Sequence, residues 1–176
     1  NDGNEDVLGY FIYKNKGKTP IGPIASTYYN DTGLIKGKNY LYSICAYNKV
    51  GKGLGVEVNG TPYSRPSAPD ILSKDLGDRW IGLTWRRPID LGGYTSVTYK
   101  VYITSSEGTQ GHEMNSTSHV FENMTNGLEY HFRVSAVNPK GEGPLSNWMN
   151  ATTYGIPAEP LNFRSSAGDG SLLFRW

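Results

Sequence analysis

Two stretches ninety residues apart carry one alternating pattern: Tyr40-Leu-Tyr-Ser-Ile-Cys-Ala-Tyr-Asn48 and Tyr130-His-Phe-Arg-Val-Ser-Ala-Val-Asn138. Side chains alternate across an extended strand, so Tyr40, Tyr42, Ile44 and Ala46 share one face, as do Tyr130, Phe132, Val134 and Ala136. Each copy has a glycine three residues upstream (Gly37, Gly127) and a large apolar residue six upstream (Leu34, Met124). Each runs into a glycine-punctuated turn, Lys49-Val-Gly-Lys-Gly53 or Pro139-Lys-Gly-Glu-Gly143. A chain built on two such strands has to bury one face of each, and no helical periodicity of useful length competes with them.

A tyrosine leading a strand behind a turn matches the tyrosine corner of β-sandwiches, whose hydroxyl is hydrogen-bonded to upstream backbone. With its flanks, the pattern resembles strand F of fibronectin type III domains. The resemblance extends along the chain. Val7-Leu-Gly-Tyr-Phe-Ile-Tyr13 and Val97-Thr-Tyr-Lys-Val-Tyr-Ile103 resemble strand C, with Tyr10 over Tyr99 and Ile12 over Val101. Tyr28–Leu34 resembles strand E and its corner, and Leu54–Val58 resembles strand G. In the middle unit Leu72 begins strand A, and Ile81, Leu83 and Trp85 alternate on strand B. Strand G of that unit is expected from about Leu145 to Thr153. The implied core residues are Tyr40, Trp85, Tyr99 and Tyr130, with Trp85 at the centre.

Turn-rich segments at Pro62–Pro69 and Thr153–Pro160 mark boundaries between units. Residues 1–62 read as an incomplete unit with strands C to G, 63–154 as a complete domain, and 155–176 as strands A and B of a further unit. Phe163 precedes Trp176 by thirteen residues, as Leu72 precedes Trp85, and Leu172, Phe174 and Trp176 repeat the Ile81, Leu83, Trp85 face. The fold class is all-β: tandem fibronectin type III, immunoglobulin-like sandwiches with incomplete first and last units.

Composition narrows the function classes. With 17 basic and 16 acidic residues, no global field draws the chain to nucleic acid or an anionic membrane. No apolar run approaches a membrane span, and the polar opening Asn1-Asp-Gly-Asn-Glu is not a signal peptide. The lone cysteine, Cys45, is expected on the outward face of its strand as an inert thiol. His112, His119 and His131 form no metal-ligand spacing, with His131 expected on an outward face. Asp75, Asp78, Asp90, Glu107 and Glu113 are scattered through expected loops, and Asp2-Gly3 and Asp169-Gly170 read as turns. The glycine-rich turns lack the strand-to-helix context that phosphate binding needs. No cofactor, no metal and no catalysis are expected.

Asparagine carries a positive signal. Asn30, Asn59, Asn115, Asn123 and Asn150 each begin an Asn-x-Thr glycosylation acceptor. Asn59 and Asn150 occupy the same place in their two repeats. The expectation is an extracellular or cell-surface glycoprotein.

The resemblance implies a spacer, adhesion surface or binding platform, and no Arg-Gly-Asp tripeptide is present. Three functions compete: a subunit or segment of a cell-surface fibre, an adhesion or receptor ectodomain segment, and an accessory module of a secreted enzyme. An accessory sugar-binding role calls for a row of exposed aromatics, which Tyr13, Tyr47, Tyr63 and Tyr154 do not make by spacing. For the fibre, Phe163, Leu172, Phe174 and Trp176 of one copy are expected to cover Tyr10, Ile12, Tyr42 and Ile44 of the next, as in donor-strand complementation. The alternative is an excerpt of a longer repeat chain cut out of phase. The expected partners are further copies head-to-tail and cell-surface proteins or glycans.

Overall fold

The computed structural model describes residues 5–176, and the expected Asp2-Gly3 turn lies outside them. All regular structure among the described residues is strand. The first unit contains β1 (Gly9–Lys14), β2 (Ile21–Ile24), β3 (Tyr40–Tyr47) and β4 (Val56–Gly60), ordered β2–β1–β3–β4 in one antiparallel sheet. The pairing of β1 with β3 sets Tyr10 opposite Ala46 and Ile12 opposite Ile44.

The middle unit has two sheets. One contains β5 (Asp70–Gly77), β6 (Trp80–Arg86) and β9 (Ser118–Glu122), with β6 central. The other contains β7 (Thr98–Ser105), β8 (Gly108–Met114), β10 (Glu129–Asn138), β11 (Gly141–Glu142) and β12 (Met149–Thr152), with β10 paired to β7, β11 and β12. Ile81, Leu83, Trp85 and Phe121 from the first sheet pack against Tyr99, Val101, Tyr130, Phe132, Val134 and Ala136 from the second. Each large aliphatic or aromatic side chain buried in this way contributes about 1.5–3 kcal/mol before ordering entropy. The last elements, β13 (Arg164–Gly168) and β14 (Ser171–Arg175), form a hairpin closed by Asp169-Gly170.

Both tyrosine corners form. The Thr125 N–H donates to the Tyr130 hydroxyl at 2.8 Å, and the Ile35 N–H donates to the Tyr40 hydroxyl at 2.9 Å. The glycine three residues before each tyrosine turns the chain with a positive φ, 75° at Gly37 and 81° at Gly127.

Several expectations need correction. Tyr28–Leu34 is not a strand, although its counterpart β9 is. In the middle unit β9 is held by β6, and among the described residues the first unit has no equivalent of β6 to hold this segment. The edge strands β2 and β8 have no sequence expectation. Gly22 and Pro23 in β2, and the polar Gly-Thr-Gln-Gly of β8, carry little strand propensity, and pairing to β1 and β7 decides them. Asp75 and Glu113 lie on strands β5 and β8 rather than in loops, and His112 also lies on β8. Strand β12 begins at Met149, not Leu145. Upstream, the buried Ser146 hydroxyl accepts the Val134 N–H at 2.9 Å, so a side chain occupies the donor that a longer ladder would use.

Candidate functional site

The sheet of the first unit leaves uncovered the face that its counterpart buries. Tyr10, Ile12, Ile24, Tyr42, Ile44 and Val58 line an open cavity of about 460 Å³ there. Val134 of the middle unit is 0% exposed, whereas Ile44 at the matching position is 40% exposed. Tyr40 and Ile12 are buried within the unit, and Tyr10 and Tyr42 are half-buried. Alternation has put apolar side chains on one face, and among the described residues no second sheet of this unit covers them.

At the rim, the Tyr42 hydroxyl donates to Asp31 Oδ2 at 2.6 Å, and Lys14 Nζ pairs with the same oxygen at 2.8 Å. The Lys14 ammonium, followed by the Tyr42 hydroxyl, holds the Asp31 carboxyl below its usual range. Burial, then the Asp31 carboxylate, pushes the Tyr42 phenol up to about 12. The carboxylate beside the apolar face is therefore already paired.

The hairpin β13–β14 repeats the pattern of β5–β6. Its register, Ser165↔Phe174 and Ala167↔Leu172, repeats Lys74↔Leu83 and Leu76↔Ile81 of β5–β6. Phe163 stacks on Phe174 with ring centroids 5.7 Å apart. Leu172, Phe174 and Trp176 stay exposed, Trp176 at 79%, while Trp85 in the matching place is 2% exposed.

A dense junction joins the first two units. The Gly37 N–H donates to Pro62 O at 2.9 Å, and the Ser64 N–H donates to Gly92 O at 3.0 Å. Asn138 Nδ2 donates to Ser64 O at 2.8 Å and Leu91 O at 3.0 Å. Tyr63 and Tyr94 stack 4.6 Å apart, and Lys36 Nζ pairs with Asp90. The Lys36 ammonium and the Gly92 N–H hold the Asp90 carboxyl below its ordinary value of 3.8. A carboxyl depressed on folding stabilises the folded junction above its ordinary value, and that contribution is lost as pH falls from there through the lowered one. The angle between the units should therefore loosen on acidification below about pH 4. Small-angle scattering across that window should show broadening that Lys36→Met removes; an unchanged profile would refute the role of this pair.

The five acceptor asparagines are all exposed. Asn30 and Asn115 lie outside strands, Asn59 lies on β4 and Asn150 on β12, and Asn123 holds a left-handed turn with φ of 60°. His131 on β10 is half-buried, its Nδ1 2.9 Å from Asn150 Oδ1. Cys45 departs from the outward expectation: it is buried, 6% exposed, with its thiol 3.8 Å from Phe11 O. That side of β3 is covered locally, since Phe11 packs on Tyr47 and Lys52 sits over Phe11. Tyr63 is used in the junction, and the Tyr13 hydroxyl accepts from Lys52 at 3.0 Å, so these do not form an aromatic row. Among the described residues no three His, Cys, Asp or Glu side chains are grouped to hold a metal ion. No helix among them is long and apolar enough to cross a membrane.

Comparison with known proteins places this geometry. Receptor-type tyrosine-protein phosphatase S of Gallus gallus is 29% identical over 192 residues, covering 99% of this chain and 13% of that protein. A Kelch domain-containing protein of Saccharolobus solfataricus is 32% identical over 159 residues, 89% of this chain and 21% of that protein. The chain thus spans a small part of the curated relatives it matches. Among solved structures, the FN1–FN3 domains of chicken CNTN1 align at 20% identity and a TM-score of 0.48, over 84% of this chain and 56% of that one. The family model for the fibronectin type III domain matches residues 64–152, the unit in which both sheets and the Tyr130 corner are complete. The chain belongs to the fibronectin type III family.

Proposed function

We propose that this chain is a non-catalytic segment of a cell-surface ectodomain, whose tandem sandwich units act as a spacer and adhesion surface. The observation that carries this reading is the junction: the Lys36–Asp90 ion pair crosses between two consecutive units, and the segment that links them is fixed on each side, Pro62 by the Gly37 N–H and residues 63–64 by the Tyr94 ring and Gly92 O. A spacer needs defined unit-to-unit geometry, while a free-standing catalytic module does not. The similarity to receptor-type phosphatases supports a cell-surface setting, since those proteins are named as receptors; the match covers 13% and 10% of their length. Fold by itself assigns no activity.

In that setting Asn30, Asn59, Asn115, Asn123 and Asn150 carry N-glycans. Labelling intact cells with an impermeant amine reagent should modify the protein without lysis, and its peptides should show glycan mass at Asn115. Labelling that needs lysis would refute the surface location. Bare peptides at all five asparagines would refute the glycans.

The uncovered face favours a second reading, a cell-surface fibre whose copies complete one another's sandwiches head-to-tail. Its partners are then further copies of the same chain, beside surface proteins or glycans bound by the spacer.

A further inference from the structure

The outward face of the sheet holding β10 and β12 carries a large aromatic side chain that the middle unit's core does not use. Ala151 belongs to that core and Met149 packs against it, so alternation turns Trp148 and Asn150 to the opposite face. The pairing of β10 with β12 sets His131 opposite Asn150 and Phe132 opposite Met149. Trp148, just before β12, falls beside Arg133, whose guanidinium carbon lies 4.9 Å from the indole centroid. The Arg133 Nε–H donates to Ser146 O at 2.9 Å, and the His131 ring meets the indole edge-on at 6.2 Å. The indole is therefore braced from two sides, yet Trp148 is 56% exposed. We infer that Trp148 is the docking platform for a glycan on Asn150, whose first sugar ring stacks on the indole. This rests on the glycan reading above and adds to it where the sugar lies.

Three observations favour this occupant. The first is the aim of the acceptor amide. Its Oδ1 lies 2.9 Å from His131 Nδ1, and an amide oxygen can only accept, so the ring N–H donates. That leaves Nδ2, the atom that carries a glycan, without a hydrogen-bond partner among the described residues. The second is reach. Residues two apart in a strand stand about 6.4–6.8 Å apart on one face, so a pyranose ring on Nδ2 lies over its neighbour. The ring's C–H groups carry partial positive charge and meet the negative face of the indole. The third is the contrast with the other acceptors. Glu57 and Glu113 stand two residues before Asn59 and Asn115, where Trp148 stands before Asn150. Phe121 stands two before Asn123 but is buried in the core. Tyr28 stands two before Asn30 and is exposed, with no ring or cation stacked on it among the described residues. A braced, exposed indole is thus particular to Asn150.

The test compares four forms of the full chain made in its native host: wild type, Trp148→Ala, Thr152→Val and the double variant. Thr152→Val removes the acceptor hydroxyl and keeps Asn150, so peptide mass should show sugar at Asn150 in the first two forms alone. In wild type the C–H proton signals of the first sugar on Asn150 should lie upfield of their positions in Trp148→Ala, shifted by the indole ring current. Trp148→Ala should also lower the melting temperature of the middle unit by about 4–8 °C more with the glycan than without it, as one aromatic contact does in a domain of this size. A glycan at Asn150 whose proton signals are the same in wild type and Trp148→Ala would overturn the docking and leave the glycosylation reading intact. Equal melting losses in the two backgrounds would overturn a stabilising contact. Bare Asn150 beside an occupied Asn115 would overturn the docking site alone. Bare peptides at all five asparagines would overturn the glycan reading and this inference with it.

Discussion

Trp85→Ala is expected to destabilise the middle unit by about 3–5 kcal/mol, a large share of the roughly 5–15 kcal/mol by which a small domain is stable. The indole is 2% exposed and meets the Tyr99 ring edge-on at 5.7 Å. Its Nε1 is buried without a hydrogen-bond partner, so the substitution removes packing and aromatic contact and no polar bond. Tyr130→Phe provides the contrast. It keeps the ring and removes the acceptor of the Thr125 N–H, a loss of about 1–2 kcal/mol. Urea titrations followed by far-ultraviolet circular dichroism should rank Trp85→Ala as clearly the more damaging. The reverse ranking would mean that the corner, and not the two-sheet core, holds the unit together.

Gly93→Ala is expected to force the two units apart at the junction. Gly93 has φ of 90°, where an L side chain costs about 1–2 kcal/mol in backbone strain. A Cβ there would also stand 2.8 Å from Lys36 C and 2.9 Å from Gly37 Cα, and those backbone atoms cannot rotate away. The units should separate, breaking the Lys36–Asp90 pair while the middle core stays folded. Residual dipolar couplings should then report two independently oriented units where wild type shows one. Retention of a single orientation in the variant would show that the junction does not depend on this close approach.

How much of this could be read beforehand depended on the range of the interaction involved. The tyrosine corners at Tyr40 and Tyr130 were legible because a glycine, a tyrosine and their spacing act within six residues. Strand β6 was equally legible, since Ile81, Leu83 and Trp85 alternate without interruption. Strands β2 and β8 were not, because edge strands of polar, Gly- and Pro-containing sequence exist only by pairing with a neighbour. The junction was also hidden: Asn138 reaches Ser64, and Lys36 reaches Asp90, across 74 and 54 residues.

Alternation by itself determined which side chains share a face, because successive residues of a strand point to opposite sides. It determined in the same way that Leu172, Phe174 and Trp176 repeat Ile81, Leu83 and Trp85. Only the tertiary structure decided which of those faces is interior. Val134 and Ile44 hold equivalent places, yet one is fully buried and the other 40% exposed, since burial requires a second sheet and among the described residues the middle unit alone has one. Cys45 shows the converse. Its place in the alternation points away from the core, and it is buried because Phe11, Tyr47 and Lys52 close over that side of the sheet.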